Sequence, residues 1–370
     1  MQGGLSPIPG GGFLAKNIDA SKIAQIAGVS RATVSRVINN YAFVKPSTRE
    51  RVLNVIEQHA YSPNFSARIL AGKRSYTIGL FHAVGDHVGP KSRLEDTQIN
   101  FMTERIIHTA IAAGYYVLVY QVSDPDRKAE QKKIVDMFKQ NRIDGGVFIG
   151  FPNSYDLIEN LIEQGFVTGI FNQRISGKHE GNRVLVRMDY SGFKRAVDYA
   201  AGLGHRDIMF VCADMVRQSG EDIAGIFREG MNRNGLVIRD EFILKAGAFT
   251  RTHAVEAFSR FMELKPPMPS CIVCANDIMA FGVVEVLRRC GLKVPGDVSI
   301  IGSDDILVSQ YFDPPLTTTR YDFDEMMKTL TAKVVERIEN PRIDHFAMTY
   351  PGKLVIRDSC LPCSAPGLPV

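Results

Sequence analysis

The chain has 370 residues, 45% apolar and 23% charged, the balance of a globular protein long enough for two or three domains. No apolar run approaches the ~18 residues of a membrane span, and the Gly/Pro-rich start, Met1 to Lys16, lacks the basic-then-apolar pattern of a signal peptide, so a cytoplasmic protein is expected. Charge is uneven: ten Lys and Arg face three Asp and Glu between Met1 and Ser75, a net +7, which leaves −3 on the remainder. A basic head on a mildly acidic body points to an anionic partner for the head, with nucleic acid the leading candidate and a solvated basic face the plain alternative. Six Cys over this length do not describe a disulfide framework.

Asp19 can cap a helix from about Ala20 to Ala27, with Ile23, Ile26 and Ala27 inward and Gly28 ending it in a left-handed turn. Val29 is a buried turn residue. Ser30 caps a second helix, Arg31 to about Asn39, whose core face is Val34, Val37 and Ile38. Its other face carries Arg31, Ala32, Ser35 and Arg36, cationic and short-sided, as a helix entering a major groove needs. A third helix follows Pro46, where Ser47 and Glu50 spell a capping box and Val52, Val55, Ile56 and His59 recur at helical spacing. No Cys or His stands at ligand spacing from His59, so its ring is expected to pack at the helix end rather than bind metal. Pro63 then breaks the pattern, and Asn64 can cap a short helix, Phe65 to Ala71, stopped by Gly72. That is too short to hold alone, where ~12–15 residues are already marginal. Leu70, beside Ala67 and close to Arg68, Lys73 and Arg74, reads either as part of a linker or as a minor-groove wedge that orders on DNA.

Ala27-Gly-Val-Ser-Arg-Ala-Thr-Val-Ser-Arg-Val-Ile-Asn39, Val44-x-Pro-x-Thr-Arg-Glu50 and Tyr61-Ser-Pro-Asn-x-x-Ala67-x-x-Leu70 closely resemble the DNA-binding head of the LacI/GalR family of bacterial transcriptional regulators, without gaps over about 60 residues. The resemblance implies that Arg31, Ala32 and Arg36 read bases, and that Ser30, Thr33, Ser35 and Asn39 touch phosphate or support the helix. It also implies that Leu70 wedges into the central base step, with Asn64 and Ala67 in the same DNA-contacting segment. Lys22, where the family usually has an acid, and Ala60, where Gly is common, are departures. Residues 1–16 lie outside the resemblance.

Beyond the head, apolar strands recur at Thr77–Phe81, Tyr115–Tyr120, Gly146–Gly150, Val167–Phe171, Val184–Met188, Ile208–Cys212, Ser270–Ala275 and Val298–Gly302. Helical segments such as Gln98–Ala113, Asp126–Gln140, Ser191–Ala201 and Ile278–Arg289 separate most of them. This βαβ rhythm means buried parallel sheets, in one large sheet or two lobes, and periodicity does not decide which. Ligands of such sheets sit beyond the carboxyl ends of strands, a rule that picks out His82, Asn172, Asn276, Asp277, Asp304 and Asp305. Asp277 and Asp305 can equally cap the segments that follow, and Asp189 is expected to cap the helix at Ser191.

Gly204-His-Arg, Ala275-Asn-Asp-x-x-Ala280, Val294-Pro-x-Asp-Val-Ser299, Gly302-Ser-Asp-Asp305, Pro315-Leu-Thr-Thr318 and Leu354-Val-Ile-Arg-Asp-Ser359 stand in order and look like the effector domain of the same family, itself similar to periplasmic sugar-binding proteins. The implied fold class is an N-terminal all-α helix-turn-helix head with a hinge helix, then an α/β two-lobed effector domain with parallel sheets. The implied segments are an unassigned extension (1–16), the DNA-binding domain (17–62), hinge helix and linker (63–75), the effector and dimerisation domain (76–359) and a tail (360–370). Three crossovers between lobes are expected near Ile175, Arg320 and His345. The family's polyol-binding positions correspond to Asn172, Asn276 and Asp304, with His82 as a further candidate. Two departures bear on the ligand. Asp222 stands near the place of an Arg that the family uses for paired hydroxyls, and Val84–Lys91 replaces the usual Asn-Pro-Phe-Phe. A plain aldohexose fits without specific support, and a polyol, a sugar acid and a modified sugar are equally open.

Cys271 and Cys274 form C-x-x-C on a strand, where residues three apart point to opposite faces, and Cys360 and Cys363 form another in a Pro-rich tail. Neither is expected to bind a metal. No nucleophile–base set, phosphate loop or dinucleotide fingerprint is present, so no cofactor and no enzymatic role is expected. The expected partners are double-stranded DNA bearing a pseudo-palindromic operator, a small-molecule effector and a second copy of the chain, with no membrane. The rival is a solute-binding receptor of the periplasmic type, which shares the two-lobe body.

Overall fold

The computed structural model describes residues 18–38, 41–61, 74–83, 97–175, 182–213, 218–343 and 345–363. Asn39, the segment with Asn64, Ala67 and Leu70, the loop from Val84 to Lys91 and residues 1–16 lie outside them. The chain divides into two units, Met1–Ser75 and Tyr76–Val370.

In the first unit, α1 (Ala20–Ala27) begins where Asp19 Oδ1 accepts the amide of Lys22 at 2.8 Å and ends at Gly28, whose φ of +62° suits a residue without Cβ. α2 (Arg31–Ile38) starts at Ser30, whose Oγ accepts the Thr33 amide at 3.1 Å. α3 (Pro46–Gln58) begins two residues earlier than a Ser47–Glu50 capping box requires. Pro46 takes its first turn, Lys45 precedes it without a side-chain cap, and Ser47 is already helical. The core is Ile23, Ala24, Ala27, Val34, Val37, Val52 and Val55, with Val29, Ile38 and Ile56 packed against it. Ile26, expected inward, is 42% exposed, because the buried stripe of α1 runs through Ile23, Ala24 and Ala27 and leaves it on the flank. His59 closes α3 as an exposed residue, not a packed ring.

The second unit is built from two lobes. β1 (Thr77–Ala83), β2 (Tyr116–Val122), β3 (Gly145–Ile149), β4 (Val167–Phe171), β5 (Arg183–Met188) and a late strand (Phe346–Tyr350) form one parallel sheet. The late strand pairs beside β5, and the order continues β4, β3, β1, β2. Both faces are covered, as a parallel sheet requires. Leu80, Val147 and Val186 face α4 (Thr97–Ala112) and a long helix, Phe323–Glu339. Phe81, Phe148 and Leu185 face α5 (Lys128–Lys139) and α6 (Asp156–Glu163), with Phe81 and Phe148 stacked at 4.9 Å. The long helix lies so close to β4 that a Cβ on Gly169 would sit 2.5 Å from Val334 Cγ2.

The second lobe follows with α7 (Ser191–Gly202), β6 (Ile208–Cys212), α8 (Gln218–Arg233), β7 (Ile243–Lys245), α9 (Arg251–Glu263), β8 (Cys271–Cys274), α10 (Asp277–Arg289) and β9 (Ser299–Ile301). Its parallel sheet has the order β7, β6, β8, β9. β10 (Thr318–Arg320) leads to the long helix, now α11, then to the late strand, β11, and to β12 (Lys353–Val355), which returns antiparallel to β10. β7, β10 and β12 are three residues each, too short to leave a periodicity in sequence.

Among the described residues the chain passes between lobes at Asp189–Tyr190, Tyr321–Asp322 and Pro351–Gly352. The first passage is not near Ile175, because β5 still belongs to the first sheet and pairs with β4 after that point. The third is not near His345, because β11 first rejoins that sheet beside β5. The passages are tied to one another. Asp189 Oδ1 accepts the amides of Ser191 at 2.8 Å and Gly352 at 3.1 Å, and the rings of Tyr190 and Tyr321 meet edge to face at 6.2 Å.

Candidate functional site

Two places hold the residues singled out from sequence. On α2, Arg31, Ala32, Ser35 and Arg36 are exposed while Val34 and Val37 are buried opposite, so a fixed core presents an outward cationic strip about 140° wide at 100° per residue. Ser30 and Thr33 meet hydroxyl to hydroxyl at 2.9 Å at the start of that helix, and the Ser30 oxygen caps it. Such a strip can lie against phosphates and place guanidinium groups on base edges.

The second place is a cavity of about 180 Å³ where the strand ends of the two lobes face each other. The first lobe contributes Asn172 and Gln173 after β4, Met188 at the end of β5, and Gln98, Ile99 and Met102 from α4. The second lobe contributes Ile223 of α8, Phe249, Asn276 and, after β9, Ser303 and Asp304. Tyr190 and Tyr321 come from the passages between lobes. Asn172 thus comes together with Asn276 and Asp304, which lie more than a hundred positions further along the chain. His82 does not join them. It stays half-buried in β1, and α4 supplies the wall at that end.

The hydrogen bonds divide these residues. Asn276 is the N-cap of α10: its Oδ1 accepts the Met279 amide at 2.8 Å and its Nδ2 donates to the Phe249 carbonyl at 3.1 Å. Asn172 sits in the left-handed region at φ 55°, donates Nδ2 to the Tyr190 hydroxyl and accepts the Met188 amide at 3.3 Å. Asp304, also at positive φ, holds its backbone amide on the Thr319 carbonyl. Asp277 and Asp305 take structural partners instead. Asp277 is fully buried and accepts from the Ile306 amide at 3.0 Å, the Ser309 hydroxyl at 2.6 Å and the Thr318 hydroxyl. Burial raises its carboxyl to about 7 against the pull of those three donors. Asp305 is held between Arg320 and Arg357. Burial raises the Tyr321 hydroxyl far above its ordinary range, with Tyr190, Asp189 and Asp304 adding to the effect.

Asp222 on α8 reaches Arg174, just past Gln173 in the other lobe, at 2.6 Å. The acid that stands in place of the family's Arg thus meets a guanidinium from across the cleft. Arg187 lies in the same electrostatic neighbourhood, its pKa lowered by burial and by Arg183. Sequence reasoning missed Gln98, Gln173, Ser303 and both tyrosines. Gln173 and Ser303 are direct neighbours of chosen residues at strand ends, a signal that was available. Tyr190 and Tyr321 depend on where the chain changes lobes, which no local pattern shows. Among the described residues no helix is long and apolar enough to cross a membrane, and no group of three or more His, Cys, Asp or Glu could hold a metal ion.

Residues 21–64 match the family described as bacterial regulatory proteins, lacI family, and residues 197–360 match the periplasmic binding protein-like domain. The probable HTH-type transcriptional repressor ExuR of Bacillus subtilis is 28% identical over 342 residues, covering 91% of this chain and 96% of its own. The HTH-type transcriptional repressor PurR of Pasteurella multocida is 27% identical over 344 residues, covering 91% and 97%. A lac repressor dimer bound to operator and the anti-inducer ONPF superposes with a TM-score of 0.78 at 23% identity, covering 93% and 99%. A complex of the transcriptional regulator CelR with cellobiose gives 0.68 at 23%, covering 92% and 99%. At those identities the two structures speak for the fold.

Proposed function

This chain belongs to the LacI family of bacterial regulatory proteins, and from that premise we propose that it is a sequence-specific transcriptional repressor whose operator affinity is set by a small molecule bound between the two lobes of its body. The observation that carries the reading is the exposed strip of α2, with Arg31, Ala32, Ser35 and Arg36 turned outward from a folded helix-turn-helix. Two copies place two such helices on the half-sites of a pseudo-palindromic operator, since the symmetry of the protein is mirrored by its site. The apolar side chains of Ile111, Tyr116 and Val119, exposed at the β2 edge of the first lobe, support pairing of two copies. A ligand in the cavity, a sugar or sugar derivative in this reading, favours one arrangement of the lobes. Coupling to the head then amounts to ~1–3 kcal/mol and acts in both directions. The reading assigns the chain no catalytic step.

The experiment is selection of duplexes from a random pool by the purified full chain, followed by binding to the recovered sequence at several salt concentrations. A two-fold symmetric consensus and affinity that falls steeply with salt are expected. Retention of no duplex even at low salt favours the rival solute receptor and removes the regulatory reading.

A further inference from the structure

We infer that Asp277 is a positioning residue for the wall of the cleft, holding Ser303 and Asp304 in one of two placements that differ by a single proton and reaching them through Thr318 and Thr319; this names a regulation of the effector site proposed above and rests on that reading. Asp277 opens α10 behind the cavity, next to Asn276, and its amide donates to the Ser303 carbonyl at 2.7 Å. Its side chain is fully buried. The packing is so close that a Cβ on Gly302 would sit 2.2 Å from its Oδ1. Oδ2 accepts the Ile306 amide and the Ser309 hydroxyl, while Oδ1 accepts only the Thr318 hydroxyl among the described residues.

Thr318 is where the arrangement can change. A proton taken from water belongs on Oδ1, the oxygen with one donor instead of two. Oδ1 then donates to Thr318 Oγ1, and the Thr318 hydroxyl turns its hydrogen to another acceptor. The Thr319 carbonyl stands 3.5 Å from Thr318 Oγ1, too long for a good bond while Asp277 is ionised. Among the described residues the Ser309 hydroxyl has no second acceptor of this kind. Closing that gap to the ~2.8 Å of a hydroxyl bond moves the Thr319 carbonyl. The same carbonyl holds the Asp304 amide at 2.8 Å, and the Thr319 hydroxyl meets that of Ser303 at 2.7 Å. Ser303 and Asp304 both line the cavity, so a proton behind the wall is felt at its surface.

The surrounding groups keep both forms within reach. No cation pairs with Asp277 among the described residues. After β9 come Asp304, at the cavity, and Asp305, whose charge disfavours ionisation of Asp277 and which Arg320 of β10 and Arg357 beyond β12 hold in turn. From β8 it faces Cys274, whose thiol is kept protonated by burial and by Asp277 itself. Burial leaves the Asp277 carboxyl at about 7, where the two forms coexist near neutral pH.

The chain holds no Trp, so Phe249→Trp, in the cavity wall where the residue's carbonyl accepts from Asn276, gives the full chain a single fluorescent reporter. Its emission, followed across neutral pH, should pass through a transition centred at about 7. Adding Asp277→Asn should remove the transition. Adding Thr318→Val keeps the carboxyl and takes away the relaying hydroxyl. It should move the midpoint upward, because the ionised form loses a donor, and shrink the amplitude about threefold or more. A flat trace in the reporter chain overturns the inference. So does a transition that persists with Asp277→Asn, or full amplitude with Thr318→Val. If Asp277→Asn does not fold, the Thr318→Val comparison decides alone. Operator affinity judges the effector reading separately. On the symmetric duplex recovered by selection, it should change about fivefold or more across the transition, beyond any change the Asp277→Asn chain shows. A fluorescence transition without that difference leaves the role of Asp277 standing and removes the coupling of cleft to head. An operator response that needs Asp277 beside a flat trace does the reverse.

Discussion

In the head, Arg31, Ala32, Ser35 and Arg36 stand on one short helix and face outward, while a separate set of small apolar residues holds that helix in place. In the cleft, Asn172, Asn276 and Asp304 arrive from three separate strand ends, and the amides of Asn172 and Asn276 are bonded within the protein. The head therefore separates the residues that fold it from the residues that face outward. The cleft uses the same side chains for both, so a change there alters shape and recognition together.

The largest effect expected from breaking this contrast is at Asp277, behind the cleft. Asp277→Ala strips the acceptor from three donors, the amide of Ile306 and the hydroxyls of Ser309 and Thr318, and should cost about 3 kcal/mol or more in denaturant unfolding of the body. The same residue carries a pH signature. In the folded chain it keeps its proton up to about pH 7, and in the unfolded chain only to the ordinary carboxylate range near 4. The folded state therefore binds more protons between those values, and this group's contribution to stability is full at low pH and is lost as pH rises through that window. Asp277→Asn should flatten that slope. An unchanged pH profile would place the slope elsewhere.

A smaller effect, without loss of fold, is expected on the outward strip. Arg36→Ala should weaken operator binding by ~1–3 kcal/mol and relax preference at one base position, read by competition among operator variants, while thermal melting is unchanged. An equal loss on every sequence would mean a phosphate contact. Gly28→Ala tests the scaffold beneath the strip. A Cβ there meets nothing within 4 Å, so the cost is that of the backbone at φ +62°, about 1 kcal/mol of head stability. The smallest effect belongs to the pair across the cleft. Arg174 and Asp222 keep 54% and 20% of their side chains exposed, so Asp222→Asn should change stability by less than about 1 kcal/mol. Small-angle scattering of the unliganded chain should then show a shift towards more open lobes.

The contrast also explains what could be read in advance. Asp19, Gly28 and Ser30 act on residues within five positions of themselves, so the boundaries of α1 and α2 follow from local chemistry. Ile26 and the Ser47–Glu50 box misled because the packed face of α1 and the first turn of α3 depend on neighbours a local pattern does not contain. In the body, buried apolar strands were legible, β9 within the run from Val298 included, whereas β7, β10 and β12, of three residues each, and the largely exposed β11 were not. Asn276 has the same identity whether it caps a helix or meets a ligand, and sequence could not say that its Oδ1 holds the Met279 amide. His82 satisfies the strand-end rule and still lies outside the cavity, since that rule does not say which helix walls off a strand end.

The order of the strands has a bearing on how the protein is made. The sheet that opens with β1 at Thr77 is closed only by β11 at Phe346–Tyr350, and one of its faces waits for α11 at Phe323–Glu339. A ribosome that has released the first five strands still holds back the edge strand and the helix that cover them. The entire second-lobe sheet leaves the exit tunnel in between. The head, with its core gathered between Ile23 and Val55, is under no such delay. Synthesis proceeds from the N-terminus at ~5–20 residues per second. A nascent chain of this protein thus carries a finished basic head for many seconds before its first lobe can close.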